Sequence, residues 1–229
     1  MGEEITGSTL YIVPTPIGNL EDITYRAVRI LSGVDLIAAE DTRTTRILLD
    51  FLKIQRPLIS FFSQNESVRV PQILGKLKEG LSVALVSDAG TPGISDPAYS
   101  IITACIAAGI RIVPLPGPTA FVPVLVASGF PTHSFVFEGF LPHKKGRATM
   151  LGTLKNEPRT IVLYESPHRI LRTLEDLKNA LGDREAVVGR EMTKKFEEII
   201  RGTLSSIHAA LTAKTVKGEF VIVVAGLQS

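Results

Sequence analysis

The chain reads as an α/β protein in two parts, the first built on a mostly parallel sheet and the second on a mixed one. Three observations carry this reading. Short apolar runs alternate with helical patterns through the first half, as in βαβ units whose strands are covered on both faces. In the second half, strand-like runs at 186–189 and 197–201 stand too close together for a crossover helix, so antiparallel pairs are expected there. A length of 229 residues also accommodates two compact domains, since single domains cluster near roughly 100–150 residues. The joint is expected near Gly117, giving domains of residues 1–117 and 118–229.

The elements follow in order. Residues 10–13 form an apolar run closed by Pro14-Thr15-Pro16-Ile17-Gly18, and a polar helix start at Asp22 leads into helical spacing over 25–31. Runs at 34–39 and 58–62 close on Glu40-Asp41 and on Ser63-Gln64-Asn65-Glu66, and 68–78 reads as a helix ended by Gly80. The run 83–87 closes on Asp88-Ala89-Gly90-Thr91-Pro92-Gly93. Ser95 or Asp96 is then expected to cap a helix with Pro97 in its first turn, where a missing N–H costs nothing. The run 110–114 closes on Leu115-Pro116-Gly117-Pro118. Beyond it, strands are expected at 134–138, 160–164, 186–189, 197–201 and 219–224, and helices at 145–155, 170–180 and 204–212.

Composition bounds the function. Twenty-five Lys and Arg against 23 Asp and Glu leave a net charge of +2, so any nucleic-acid contact must come from local patches. The lone Cys105 makes no intrachain disulfide and no cysteine cluster, which fits a reducing, cytoplasmic setting. Glu3 and Glu4 make the start unlike a signal peptide. The stretch 97–133 carries only Arg111 as a charge, but Pro114, Pro116, Gly117, Pro118 and Pro123 interrupt it. No run reaches the roughly 18 apolar residues of a spanning helix, and no membrane partner is expected.

The 19 glycines and 14 prolines matter by position. Three of their clusters fall at strand ends in the first half, where open α/β sheets bind ligands. Gly90 and Gly93 let backbone approach a ligand closely, and Asp88 can accept hydrogen bonds from a ribose or an amine. No two glycines are spaced G-x-G, which removes the dinucleotide fingerprint and the usual glycine-rich loop of Rossmann-type methyltransferases. There is no G-K-[ST] and no G-x-S-x-G, and the four histidines lack metal spacing, so no metal is expected. Two polar clusters remain, Ala39-Glu40-Asp41-Thr42-Arg43-Thr44-Thr45-Arg46 and Tyr164-Glu165-Ser166-Pro167-His168-Arg169. Each is a capped helix start or a polar rim where arginines meet phosphates. Arg190-Glu191-Met192-Thr193-Lys194-Lys195 and Pro142-His143-Lys144-Lys145-Gly146-Arg147 add basic stretches; the second is read by default as a surface charge run, and both can supply the local positive surface that the net charge does not.

Taken as an ordered set, these strings resemble the tetrapyrrole-methylase superfamily. They are Val13-Pro14-Thr15-Pro16-Ile17-Gly18-Asn19-Leu20, Ala39-Glu40-Asp41-Thr42-Arg43, Ser87-Asp88-Ala89-Gly90-Thr91-Pro92-Gly93-Ile94-Ser95-Asp96-Pro97, Pro114-Leu115-Pro116-Gly117-Pro118-Thr119-Ala120, Tyr164-Glu165-Ser166-Pro167-His168-Arg169 and Gly189-Arg190-Glu191-Met192-Thr193-Lys194. Within it the resemblance is to the branch that methylates a cytidine ribose 2′-oxygen in small-subunit ribosomal RNA. It implies two α/β domains of the tetrapyrrole-methylase type, a homodimer, and S-adenosyl-L-methionine in the cleft between the domains, with S-adenosyl-L-homocysteine as product. The cofactor residues implied are Ile17, Gly18, Asp88, Ala89, Gly90, Pro92, Gly93, Ile94, Thr119, Ala120 and Tyr164. Where tetrapyrrole-modifying members carry Gly-Asp-Pro, this chain has Asp88-Ala89-Gly90-Thr91-Pro92, which favours the RNA branch.

Removal of the hydroxyl proton falls to Glu40, Asp41, Glu165 or His168, among which the sequence does not choose. Glu40, Arg43, Glu165 and Arg169 are expected to line the acceptor side. Nearly balanced charge points to the folded small ribosomal subunit as substrate, recognised by shape and a few arginines. The competing readings are a tetrapyrrole-precursor or other small-molecule methylase and a non-catalytic adenosyl-ligand sensor.

Overall fold

The computed structural model describes residues 4–227; Glu3, half of the acidic start, lies outside them. The chain forms two compact units that part between Thr119 and Ala120. Among the described residues no helix is long and apolar enough to cross a membrane.

The first unit carries strands β1 (Thr9–Ile12), β2 (Leu36–Ala39), β3 (Leu58–Ser60), β4 (Ser82–Val86) and β5 (Arg111–Pro114), in the order β3-β2-β4-β1-β5. Every pair is parallel. β1, β2 and β4 are buried at every residue, while the edge strands β3 and β5 are only partly covered. Helices α1 (Tyr25–Gly33), α2 (Thr42–Phe51), α3 (Glu66–Lys78) and α4 (Tyr99–Ala107) complete it. Alternation along β1 explains the two covered faces. Tyr11 and Val13 join a core with Ile30, Leu31 and Leu49 from α1 and α2, whereas Leu10 and Ile12 join one with Ile73, Leu77, Ile101 and Cys105 from α3 and α4. Cys105 is therefore a core residue, and burial pushes its thiol up to about 11.

Two helix starts differ from the sequence reading. Asp22 ends a short 3-10 turn (Leu20–Asp22), and α1 instead begins behind Thr24, whose side chain accepts from the Ala27 amide. α4 begins behind Ala98 with no side-chain cap. Neither Ser95 nor Asp96 caps it: Gly93 and Ser95 take left-handed φ of 88° and 67°, which turns the chain back, and the Asp96 carboxylate bonds to the Ser87 side chain. The cluster after β2 is a helix start, with Asp41 capping α2 through the Arg43 amide.

β1 and β4 lie side by side within the sheet, and the connections from their carboxyl ends run in opposite directions across it, to β2 on the far side of β4 and to β5 on the far side of β1. That is the switch point at which open α/β sheets form their ligand crevice.

The second unit carries β6 (Phe135–Phe140), β7 (Thr160–Glu165), β8 (Glu185–Arg190), β9 (Glu198–Thr203) and β10 (Phe220–Val224), in the order β6-β7-β10-β8-β9. β6 and β7 are parallel and the other pairs antiparallel, the mixed sheet expected from the short 190–198 connection. Helices are α5 (Phe121–Ser128), α6 (Arg147–Leu154), α7 (Ile170–Leu181) and α8 (Leu204–Thr212). α6, α7 and α8 bury Leu151, Leu174, Leu177 and Ile207 against Ile161, Leu163, Val188 and Ile222 of the strands.

Candidate functional site

The three Gly/Pro loops of the first unit are locked to one another. Thr15, after β1, exchanges two backbone hydrogen bonds with Gly90, after β4, at 2.9 and 3.0 Å. The Thr15 hydroxyl donates to the Ser87 carbonyl at 3.1 Å, and the Thr91 hydroxyl donates to the Pro118 carbonyl at 2.9 Å. Gly117 stands so close to Pro14 that an added Cβ would lie 2.4 Å from the proline Cβ. Gly90 and Gly93 have φ of 83° and 88°, the region that L side chains avoid. The third loop thus closes on the first two. Beside them a depression of about 210 Å³ is lined by Thr15, Pro16, Gly18, Leu20, Thr44, Thr45, Ile47, Leu48, Ser87 and Asp88.

This arrangement collects Ile17, Gly18, Asp88, Ala89, Gly90, Pro92, Gly93, Ile94 and Thr119 on one unit. Ile17, Gly90 and Pro92 are buried, Gly18, Asp88, Ala89 and Gly93 exposed, and Ile94 and Thr119 half-buried. Ala120 and Tyr164 belong to the second unit. Ala120 precedes α5, and Tyr164 stands in an aromatic cluster, 5.1 Å from the Phe137 ring and 5.7 Å from the Phe140 ring.

Carboxylates crowd the ends of β2 and β4. Glu40 accepts from the Asp88 amide at 3.3 Å, and Asp88 accepts from the Asp41 amide at 3.0 Å. Burial raises the pKa of Glu40 and, to a lesser degree of enclosure, that of Asp88; neighbouring carboxylates add to both. Asp96 is pushed up to about 6, first by burial and then by the charges of Glu40 and Asp88. Asp41 differs: Arg43 grips it through Nε and Nη2 at 3.0 and 2.6 Å and holds it down at about 2. The Arg43 side chain itself is 89% exposed.

On the second unit, Glu165 is enclosed. Its side chain is 0% exposed and pairs with Arg169 Nη2 at 2.9 Å. It also accepts from the Ser166 amide and the Thr173 hydroxyl, each at 2.7 Å. His168 is exposed. The four residues expected to line an acceptor therefore fall as Glu40 and Arg43 on the first unit, and as the buried Glu165 paired with the half-buried Arg169 on the second.

Asp96 was legible in sequence only as a helix cap, because its titration comes from loops that enclose it in space. Its ordinary value is 3.8. A raised carboxyl makes the folded state bind protons more readily, so its stabilising contribution is complete below about pH 4 and is lost as pH rises through about 6. Asp96→Asn, neutral throughout, is expected to exceed the wild type in stability by about 1–2 kcal/mol at pH 8, after allowance for solvent screening, with the difference vanishing near pH 4. Urea melts of both proteins at the two pH values check this; equal midpoints at pH 8 contradict it.

Solved methyltransferases share the fold. One is a cobalt precorrin-4 methyltransferase from cobalamin biosynthesis, with TM-score 0.68 and 18% identity over 95% of each chain. Another is a Thermus thermophilus uroporphyrin-III C-methyltransferase complexed with S-adenosylhomocysteine, with TM-score 0.66 and 18% identity over 94% of this chain and 96% of that one. The chain belongs to the tetrapyrrole (corrin/porphyrin) methylase family, whose model matches residues 9–208. Among its relatives, ribosomal RNA small subunit methyltransferase I of Synechocystis is 52% identical over 95% of this chain and 78% of its own length. The proteins of the same name from Thermotoga maritima and Escherichia coli O157:H7 are each 49% identical over 95% of this chain, covering 98% and 77% of their own lengths.

Proposed function

We infer that the protein is an S-adenosyl-L-methionine-dependent methyltransferase acting on small-subunit ribosomal RNA, at the ribose 2′-oxygen of a cytidine. The observation that carries this is near-half identity, across 95% of the chain, to proteins named for that RNA. The first unit fits the cofactor on its own terms. Gly90 and Gly93 bring bare backbone to the crevice, Ile17 offers a buried apolar side chain, and Glu40, Asp88 and Asp96 concentrate negative charge that suits a net cationic ligand. When bound, S-adenosyl-L-methionine supplies a methyl group on a sulfonium whose leaving thioether is neutral.

The demands left to the chain are alignment and removal of one proton. Glu40, half-buried and shifted toward neutrality, is proposed as the group that takes the 2′-hydroxyl proton, with Arg43 and Arg46 facing phosphates. Glu165 and Arg169 are proposed to shape the second unit without touching the acceptor. A homodimer is the proposed assembly, supported by Ile47 and Phe51, one turn apart on α2 and 72% and 58% exposed. A reducing cytoplasm is its proposed setting.

The test supplies labelled S-adenosyl-L-methionine with small subunits lacking the modification, with protein-free small-subunit RNA, and with a tetrapyrrole precursor. Label recovered as 2′-O-methylcytidine, faster from subunits than from free RNA, is the expected result. Label in the tetrapyrrole alone overturns the reading, and cofactor binding without any transfer points to a sensor.

A further inference from the structure

The connection between β6 and α6 reads Leu141-Pro142-His143-Lys144-Lys145-Gly146, with Arg147 opening the helix. As a whole it resembles a surface charge run, yet its ends are sunk: Leu141 is 1% and Arg147 7% exposed. Arg147 donates to the Pro142 carbonyl at 3.2 Å, to the Thr173 hydroxyl at 2.8 Å and to Asp176 at 2.8 Å. Thr173 passes its hydrogen to Glu165, which pairs with Arg169, and Arg169 donates to the Leu141 carbonyl at 3.0 Å. Two guanidinium groups thus grip successive carbonyls at the foot of the turn, and one buried carboxylate with one threonine closes the circuit. At the other end Gly146 takes φ of 86°, and the Arg147 amide closes on the Lys144 carbonyl at 3.2 Å.

What this device holds in place is a pair of charges. His143, Lys144 and Lys145 are exposed, and among the described residues neither lysine has an acidic partner. The other basic stretch is largely compensated: Arg190 pairs with Glu198 and Lys194 with Glu191 and Glu219, while Lys195 keeps its charge over the Phe196 ring. Two adjacent, uncompensated ammonium groups on a backbone already ordered by the fold lower the cost of binding a polyanion.

We propose that the 141–146 turn is a preorganised phosphate-binding element that contacts the backbone of the substrate RNA through Lys144 and Lys145, with Arg147, Thr173, Glu165 and Arg169 as its positioning residues. This rests on the ribosomal RNA reading.

The test uses the full chain carrying Lys144→Gln and Lys145→Gln. The expected result is a KM for small subunits raised about tenfold at 0.1 M salt, with kcat and S-adenosyl-L-homocysteine affinity unchanged. The log–log salt slope of binding falls by about 1.4–1.8, the contribution of two phosphates. Arginines at both positions restore KM. Thr173→Val, which opens the circuit, raises KM about threefold alone and adds nothing to the glutamine pair, the non-additivity of a shared function. Unchanged KM and slope in the glutamine variant overturn the proposal while leaving the RNA reading intact. A wild type that neither binds nor methylates subunits overturns both. A variant that loses subunits yet binds protein-free RNA with the wild-type slope assigns the turn to an acidic ribosomal protein, and so overturns it as well.

Discussion

Glu165→Ala is expected to destabilise the protein by about 3–5 kcal/mol, the range for breaking a buried ion pair by removing one partner. The carboxylate has no solvent to fall back on, and its loss strands three donors at once: Arg169, the Ser166 amide and the Thr173 hydroxyl. Arg169 is 17% exposed and recovers part of its hydration, which favours the lower end of the range. Glu165→Gln keeps the shape and an acceptor oxygen but weakens the pair with Arg169, and a loss of about 1–2 kcal/mol is expected. Chemical denaturation of the full chain measures both. The same variants separate support from chemistry: single-turnover methyl transfer by Glu165→Gln within threefold of wild type is the outcome of a positioning role. A loss of a hundredfold with stability intact would return Glu165 to the reacting atoms.

Gly117→Ala is expected to weaken S-adenosyl-L-homocysteine binding at least tenfold and to cost about 1–3 kcal/mol of stability, the usual cost of overpacking. Gly117 is not among the left-handed glycines, so crowding alone decides. Its new Cβ would meet Pro14 at 2.4 and 2.7 Å, and a proline ring has no rotamer by which to withdraw. The third loop must then move off the first, taking with it Pro118 and its bond from Thr91. Pro14→Gly removes the obstructing atoms, so Gly117→Ala added to Pro14→Gly is expected to cost nothing further in affinity, a double-mutant cycle with large coupling. Calorimetric titration of the four proteins reads it. Additive losses would place the cofactor's dependence elsewhere.

How much of this was legible beforehand follows from where each property is encoded. Buried parallel strands such as β1 and β4 are legible because burial on both faces demands an unbroken apolar run, and the turn chemistry after them is local. The start of α4 was misread because Ser95 adopts a left-handed φ that its residue type does not announce. Arg147 was misread for a different reason: in a run with two lysines an arginine reads as solvated, and the Thr173 and Asp176 that receive it lie on α7, beyond the reach of local pattern. The loops of the site were legible as strand ends. Their mutual locking was not, since Thr15 with Gly90 and Pro14 with Gly117 meet only in the folded sheet.

That locking ties ligand capture to the completeness of synthesis. Pro14 and Thr15 leave the ribosome long before Gly117 and Gly90, and they meet these partners only after β4 and β5 have flanked β1. Pairings of such long sequence separation form late, because loop closure must come first. A nascent or clipped chain ending before Gly117 therefore presents two loops with their third wall missing. With the cofactor on these loops, as proposed, only the finished unit would draw stabilisation from it by mass action, and occupancy would certify that all three loops have been made and joined.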